Sequence, residues 1–587
     1  MNHKSIAVLP FLNLSSDPEN EYFSDGVTEE IMLALSGIKE LKVTSRTSAF
    51  AFKNKQVDIR MIGNQLGVST VLEGSIRKSG NRVRISTQLI RSEDGFLLWS
   101  QKFDRELVNI FALQDEISLC IAEQIRENFG HMEIGEHLVE VTTSDLGAYD
   151  CYLKARFNQL RWEQEGFLKA VYYYQMAVEK DANYAQAYFG LFQCYGMMAA
   201  WDLFPREDGF RLAMEALKEG AAINTNLAEY HFSLNYQSLW ANWDYASSFA
   251  HLKKALQLSP NNAEYLESVA ELYMSQGAFD DAKKLIKLAL EVNPLSANHH
   301  FTKGNIFYLE GEFEQALAEF NRSLEIDPNW MLSLQSKAFC LILLDRKEEL
   351  EAFATGNNNL ERAEDFLKLY DLMHTRKGVS ITDSMQAVNG YFAWNVYLPL
   401  HYGNVEEAVE ALKYGVEQRL GQFINFKDDP LLAPLRNHTV FVELKKKHSI
   451  NLPDTGELFG ENESEVSAKM VDSEASDWVE KLTDLMNSEK LFLKPNLDLK
   501  ELSESLGLHS NTLSWLLNDK LEMNFNDYVN SYRLQEFQER ALLPDAKQFT
   551  LLGLAFESGF SSKSTFNDYF KKKTGITPRK WVKENAD

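Results

Sequence analysis

The stretch LDLKELSESLGLHSNTLSWLLNDK, residues 497–520, decides the reading of this chain, together with FTLLGLAFESGFSSKSTFNDYFKKKTGITPRKW, residues 549–581. Each holds an amphipathic run, a turn containing Gly507 or Gly559, and a second run opened by small polar residues. Such a turn sets two short helices at a steep angle and frees the second to enter a DNA major groove. Leu499, Leu502, Leu506, Leu508 and Leu513 form the apolar stripe of the first unit, and Ala555, Phe560, Phe566 and Phe570 that of the second. At helical spacing these are core residues, not base readers. Gly559 is predicted to hold a backbone conformation that a β-carbon would penalise.

The residues expected to face DNA are the polar ones that open each second helix. In the first unit they are His509, Ser510, Asn511, Thr512 and Ser514, with Trp515 beside them. In the second they are Ser561, Ser562, Lys563, Ser564, Asn567 and Asp568, followed by Lys571, Lys572 and Lys573. Free N–H groups at a helix N-terminus suit phosphate. An asparagine pairs bidentately with adenine, and a lysine reaches guanine or phosphate. Ser510 and Ser562 serve equally well as helix caps, His509 equally well as a turn residue. The three consecutive lysines read as a solvated face or as phosphate contacts.

Residues 478–585 resemble the AraC-type DNA-binding domain, in which two such units are joined by a helix, here YVNSYRLQEFQERALL. The matched positions in the second unit are Ala555, Gly559, Phe560, Ser564, Phe566, Phe570, Lys571, Gly575, Pro578 and Trp581. The resemblance implies a bacterial transcription regulator that binds double-stranded DNA, acts as a homodimer and contacts RNA polymerase. Three positions depart from it. Trp515 and Asp568 stand where arginine is common, and Glu522 where glycine is common. The first two remove cations from the DNA face, so binding is expected to draw on dimerisation. Trp515 would instead pack on a thymine methyl or the sugar backbone.

Upstream, residues 449–477 lose helical periodicity and carry eight acidic residues between 450 and 477 against Lys469 alone, a charge of −7. They read as a flexible acidic linker, with occupation of the basic DNA surface as a sharper alternative. Residues 131–448 carry an internal repeat. Pro260, Pro294 and Pro328 are 34 residues apart, as are Gly277 and Gly311, Phe279 and Phe313, and Ala282 and Ala316. That is the period of the tetratricopeptide repeat, a helical hairpin that buries its apolar face by stacking on the next. About six to eight repeats fit the length, closed by DPLLAPLRNH at 429–438. Such an array offers an extended surface to a protein or peptide partner.

Residues 1–130 alternate strand-like and helix-like runs. SIAVLPF reads as a buried strand, residues 21–35 as a helix, LKVTSRTSAFAF (41–52) as a strand, and residues 58–68 as a short helix. Two alternating strands flank the turn Ser79-Gly80-Asn81, a further strand follows at GFLLWSQKFD, and residues 110–129 form an amphipathic helix. The basic segment RKSGNRVR reads as a solvated hairpin tip or an anion contact. The stretches SIAVLPFLNLSSDPENEYFSDGVTEEI, TSRTSAFAFK, LGVSTVLEGSIRKSGNRVRISTQLI, LWSQKFDREL and IFALQDEI resemble the TolB amino-terminal-like domain of bacterial multidomain regulators and some adenylate cyclases. The resemblance implies sensing or partner contact.

The fold class is therefore mostly α: an N-terminal α/β domain (1–130), a repeat solenoid (131–448), an acidic linker (449–477) and an all-α tandem helix-turn-helix domain (478–587). Net charge is −25 over 587 residues, yet eight basic residues against four acidic ones leave residues 546–587 at +4. The acidity lies elsewhere and keeps DNA off the rest of the molecule. Four scattered cysteines without a CxxC pair fit a reducing cytoplasm rather than a disulfide or zinc framework. No apolar run reaches the ~18 residues of a membrane span, and the start lacks the long apolar core of a secretory signal. Neither a phosphate-cradling glycine motif nor HExxH is present, so no enzyme, cofactor or metal is expected. A cytoplasmic regulator controlled through its N-terminal and repeat domains is the leading reading. The alternative is an interaction scaffold with weak DNA binding, and nucleotide binding by the N-terminal domain is a third.

Overall fold

The computed structural model describes residues 4–585 apart from 16, 18–19, 107–109, 140–141, 160–163, 201–203, 358, 376–391 and 460–471. The N-terminal part contains β1 (Ser5–Val8), β2 (Leu12–Asn13), α1 (Glu21–Ser36), β3 (Lys42–Val43), α2 (Arg46–Phe50), α3 (Ile59–Leu66), β4 (Thr70–Ser79), β5 (Arg82–Arg91), β6 (Leu97–Glu106) and α4 (Ile110–Phe129). They build one mixed sheet in the order β3-β1-β4-β5-β6, with β2 also paired to β4. β1 runs parallel to β3 and β4, whereas β4, β5 and β6 form antiparallel hairpins. Successive strand residues point to opposite faces. Accordingly Ile6 and Val8 join the core under α1 and α4, and Ala7 packs with Ile62 and Leu66 of α3. That two-sided burial is why SIAVLPF is continuously apolar.

One expected strand is mostly helix. Only Lys42–Val43 of residues 41–52 pairs in the sheet, and the chain turns at Ser45 into α2. Alternating polar and apolar residues there serve a different purpose. Ser48 Oγ donates to Asn293 Oδ1 at 2.6 Å, and Arg46 Nε lies 3.3 Å from Glu29. The charge of the basic hairpin tip is partly offset, since Arg82 and Arg84 share Asp104 of β6 and Lys78 lies 3.7 Å from Asp150.

Helical hairpins follow: α5 and α6 (Leu146–Gln159, Gln164–Lys180), α7 and α8 (Ala185–Ala200, Arg206–Ile223), α9 and α10 (Ala228–Tyr236, Tyr245–Leu258). Next come α11 and α12 (Ala263–Ser275, Phe279–Val292), α13 and α14 (Ala297–Glu310, Phe313–Ile326), then α15 and α16 (Met331–Leu343, Lys347–Gly356). α17 (Ala363–Tyr370), α18 and α19 (Trp394–Tyr402, Val405–Glu417) and α20 (Thr439–His448) complete the array. Ala282 and Ala316 are fully buried where paired helices approach. A continuous apolar core runs from Phe232 to Leu458.

Part of the array's surface is taken by the chain's own N-terminal domain. Tyr22 donates to Asp150 of α5 at 2.5 Å, and Arg156 of α5 pairs with Glu29 of α1. Farther along, the Ser45 N–H donates to the Val292 carbonyl at 3.0 Å, and Asn261 Nδ2 donates to the Leu41 carbonyl at 3.1 Å.

The expected tether at 449–477 is corrected at both ends. Residues 450–459 pack on the array, where Tyr273 donates to the Pro453 carbonyl at 2.6 Å and Leu458 is buried. α21 (Gly456–Phe459) lies there, and α22 (Asp472–Glu489) begins inside the acidic stretch. It is helical because Ala475, Leu482 and Met486, all buried, recur on one face. The middle portion, 460–471, with Glu461, Glu463 and Glu465, lies outside the described residues, as does any contact it makes with the basic face. The C-terminal part continues through α23 (Leu499–Leu506), α24 (Ser510–Lys520), α25 (Phe525–Ala541), α26 (Leu551–Glu557), α27 (Lys563–Thr574) and α28 (Pro578–Asn585).

Candidate nucleic-acid interface

The first helix pair is α23 and α24. Asp498 caps α23 by accepting from the Glu501 N–H at 2.8 Å, and Gly507 ends it at φ +70°. His509, not Ser510, caps α24: its Nδ1 accepts from the Asn511 N–H at 3.2 Å. Ser510 instead lies 3.0 Å, oxygen to oxygen, from Ser503. Leu513, Leu516 and Leu517 face the core, and Trp515 is half-buried beside them, with Lys520 Nζ 5.4 Å from its ring centre. Glu522 sits at φ +53°, so the family's glycine at that position answers a real backbone demand.

The second pair is α26 and α27. Thr550 caps α26 by accepting from the Gly553 N–H at 3.0 Å, and Ser562 caps α27 by accepting from the Thr565 N–H at 3.1 Å. Gly559 lies at φ +94°, where a β-carbon would sit 2.2 Å from the Phe492 carbonyl oxygen. Phe560, Phe566 and Phe570 are buried against Phe537 of α25. Ser561, Lys563, Ser564, Asp568, Lys571, Lys572 and Lys573 are exposed, and Asn567 is half-buried. Lys572 Nζ lies 3.6 Å from Asp527, a long ion pair on an exposed side chain.

α25 holds the two pairs together. Buried Arg533 donates to the carbonyls of Phe492 at 2.8 Å and Lys494 at 2.7 Å. Burial pulls its pKa down to about 10. Tyr569 of α27 donates to the Asp527 carbonyl at 2.9 Å. The two pairs keep separate apolar cores.

Residues that the sequence did not point to lie against the first pair. α4 and the segment after it dock on α23, α24 and α25. Arg126, 1% exposed, donates to Asn511 Oδ1. The Ile134 N–H reaches the same oxygen at 3.4 Å, and Asn511 Nδ2 donates to the Ile134 carbonyl at 3.1 Å. The Leu499 N–H donates to Glu127 Oε1 at 2.9 Å, and Asn524 Nδ2 to the Asn128 carbonyl at 3.1 Å. Gly130 abuts Asn518, whose Oδ1 would lie 2.6 Å from a β-carbon there. Asn511, Ser514 and Asn518 fall on one stripe of α24, and Ser514 in its middle is 3% exposed. Ser514 is therefore corrected: expected on the open DNA face, it is buried. Asn511 is half-buried and already paired, while Thr512 is half-buried and His509 exposed. Among the described residues no group of three or more acidic, histidine or cysteine side chains could hold a metal ion, and no helix is long and apolar enough to cross a membrane.

Comparison with known proteins identifies the parts. Residues 502–584 match a helix-turn-helix domain of AraC type. Residues 2–119 match the second domain of HilA/YgeH-like transcriptional regulators, a description other than the TolB-like one read from the sequence. Residues 239–306 and 300–330 match tetratricopeptide repeats. A putative adenylate cyclase 3 of Rhizobium meliloti (strain 1021) is 41% identical over 189 residues, 32% of each chain. This chain thus spans about a third of that curated relative. The solved structures it is similar to include YrrB, described as a TPR protein with an unusual peptide-binding site, at 19% identity and TM-score 0.22, covering 32% of this chain and 92% of that one. Another is a thermophilic TPR protein of Thermus thermophilus, at 16% identity and TM-score 0.28, covering 33% and 99%. The chain carries the parts of a helix-turn-helix transcription regulator with tetratricopeptide repeats.

Proposed function

We propose that this regulator binds specific double-stranded DNA through both helix pairs, with α24 and α27 as recognition helices. They would enter successive major grooves on one face of the duplex, about 34 Å apart. The observation that carries this reading is the polar, exposed opening of α27, where Ser561, Lys563 and Ser564 are followed on the same helix by Lys571, Lys572 and Lys573. Capping by Ser562 leaves that opening ordered and its outer N–H groups free for phosphate. The N-terminal domain and the array act as the receiving end for a ligand or a protein partner. Homodimerisation multiplies the grooves engaged and raises affinity, and contact with RNA polymerase follows from the AraC-type resemblance. On this reading the regulator works in the cytoplasm and is not an enzyme, since the families it matches are of regulator and repeat type.

The test is a mobility-shift assay of the full chain against genomic fragments at low salt. A regulator retains a few fragments, and Lys563→Ala weakens all of them to a similar degree, as loss of a phosphate contact does. Retention of every fragment alike would favour the rival reading, a scaffold built on the array. That reading draws on the net charge of −25 and on Asp568, an exposed anion on the DNA face of α27.

A further inference from the structure

The N-terminal domain meets the first recognition helix on the stripe that would read bases. Asparagine reads adenine by donating to N7 and accepting from the N6 amino group. Ile134 presents the same pair from its main chain: its carbonyl accepts from Asn511 Nδ2 at 3.1 Å and its N–H donates to Asn511 Oδ1 at 3.4 Å. Arg126 adds a third bond, the second to that oxygen. The contact is anchored on both sides of α24, by Glu127 on the first N–H of α23 and by Asn524 of α25 on the Asn128 carbonyl. Ser514 and Asn518 continue the covered stripe toward Gly130.

We propose that residues 126–134 form an autoinhibitory lock, in which the main chain of Ile134 occupies Asn511 as an adenine edge would, so that α24 reaches DNA only after the N-terminal domain lets go. The proposal rests on the DNA-binding reading above and adds its regulation. In the locked state α27 remains open while α24 is covered, so the chain holds DNA through one helix pair. Release supplies the second, and two linked reading heads bind far more tightly than one. Because α1, α2 and β3 border the array through Glu29, Ser45, Ser48 and Leu41, a partner that alters the array's curvature pulls on the same domain that holds the lock.

The test uses the full chain carrying Gly130→Cys with Asn518→Cys, and a fluorescent pool of randomised duplexes of about 40 base pairs, long enough for two successive grooves. The parent chain treated with the same oxidant is the control. Oxidation should join the introduced pair, and the oxidised protein should bind DNA about tenfold or more weakly than the same sample after reduction. Glu127→Ala, which removes the acceptor of the Leu499 N–H without adding a cation and leaves α24 untouched, should bind more tightly than the parent. Gly130 has φ +107°, where a cysteine is strained, so failure of the pair to cross-link in protein that melts as the parent does would overturn the contact. Efficient cross-linking with equal affinity in both redox states would overturn the lock and leave the DNA-binding reading standing. If neither redox state nor Glu127→Ala binds the pool at low salt, the DNA-binding reading itself fails.

Discussion

Gly507 and Gly559 close the same kind of turn under different constraints. Both have positive φ, but a β-carbon at 507 meets open space, whereas at 559 it would lie 2.2 Å from the Phe492 carbonyl oxygen and 2.9 Å from Leu493 Cα. Gly507→Ala should therefore cost about 1–2 kcal/mol, the price of a left-handed alanine. Gly559→Ala should cost more than ~3 kcal/mol, because backbone must also move. Chemical denaturation of the two variants checks the ranking. The need for glycine was legible in the sequence, since the turn pattern names it; the Phe492 carbonyl that enforces it was not. Nor was the partner of Asn511, which stands 377 residues away. Glu127 adds a pH dependence. Burial pushes its carboxyl up to about 7, Glu123 and Asp498 push the same way, and the Leu499 N–H and Arg126 oppose them. Gln124 Nε2 also faces it, at 3.0 Å. A raised pKa in the docked state means docking is strongest below the ordinary carboxylate range and weakens as pH rises through about 7. DNA affinity of the full chain should thus increase between about pH 6 and about pH 8, and Glu127→Gln should flatten that increase in a fluorescence titration.

At the scale of elements, periodicity explains what could be read. α11, α13 and α15 begin at Ala263, Ala297 and Met331, each 34 residues after the last, because every hairpin must offer the same buried face to the next. α2 escaped because its five residues are too few to show a helical period. α22 escaped for a different reason. Its acidic residues read as linker, and only the recurrence of Ala475, Leu482 and Met486 betrays the helix. In α27 the last turn carries Lys571, Lys572 and Lys573, on the end of the helix dipole that favours cations, so stability alone would place them there. Replacing Lys571 and Lys572 by alanine separates the roles. If both meet phosphate, the slope of log affinity against log salt should fall by roughly 1.8, about 0.9 per contact, whereas residues serving only the helix would leave it unchanged.

Across the whole molecule, the N-terminal domain is the hub, touching the array on one side and the first helix pair on the other. Burial raises the Glu29 carboxyl, but Arg156 and Arg46 outweigh it and hold that group below its ordinary range. Its neighbour Glu30 is pushed up to about 8 by burial and by Glu29. Removing one partner from a fully buried ion pair costs about 3–5 kcal/mol; here the pair is part-buried and Arg46 still faces Glu29, so the loss should be smaller. Arg156→Met should therefore loosen the domain from α5 and lower the unfolding midpoint, and adding Glu29→Gln should restore much of the loss in a double-mutant cycle. None of this was readable from composition, because the −25 net charge says nothing of which carboxylates meet arginines. Domain types were readable, since each carries its own period or motif; their mutual docking was not, since it joins segments with no common pattern.

The pairing between Ile134 and Asn511 uses the peptide unit of one partner and the side chain of the other. As far as pairing goes, residue 134 need only keep its N–H, so constancy there would reflect the burial of Ile134 in the N-terminal core and not the operator. The asparagine opposite would look invariant, and its constancy would be credited to the operator alone. A regulator built this way evolves its restraint and its target recognition unequally: a change at Asn511 alters both together, while a proline at 134 deletes the donor, disturbs the core around it and leaves the DNA-reading side chain as it was.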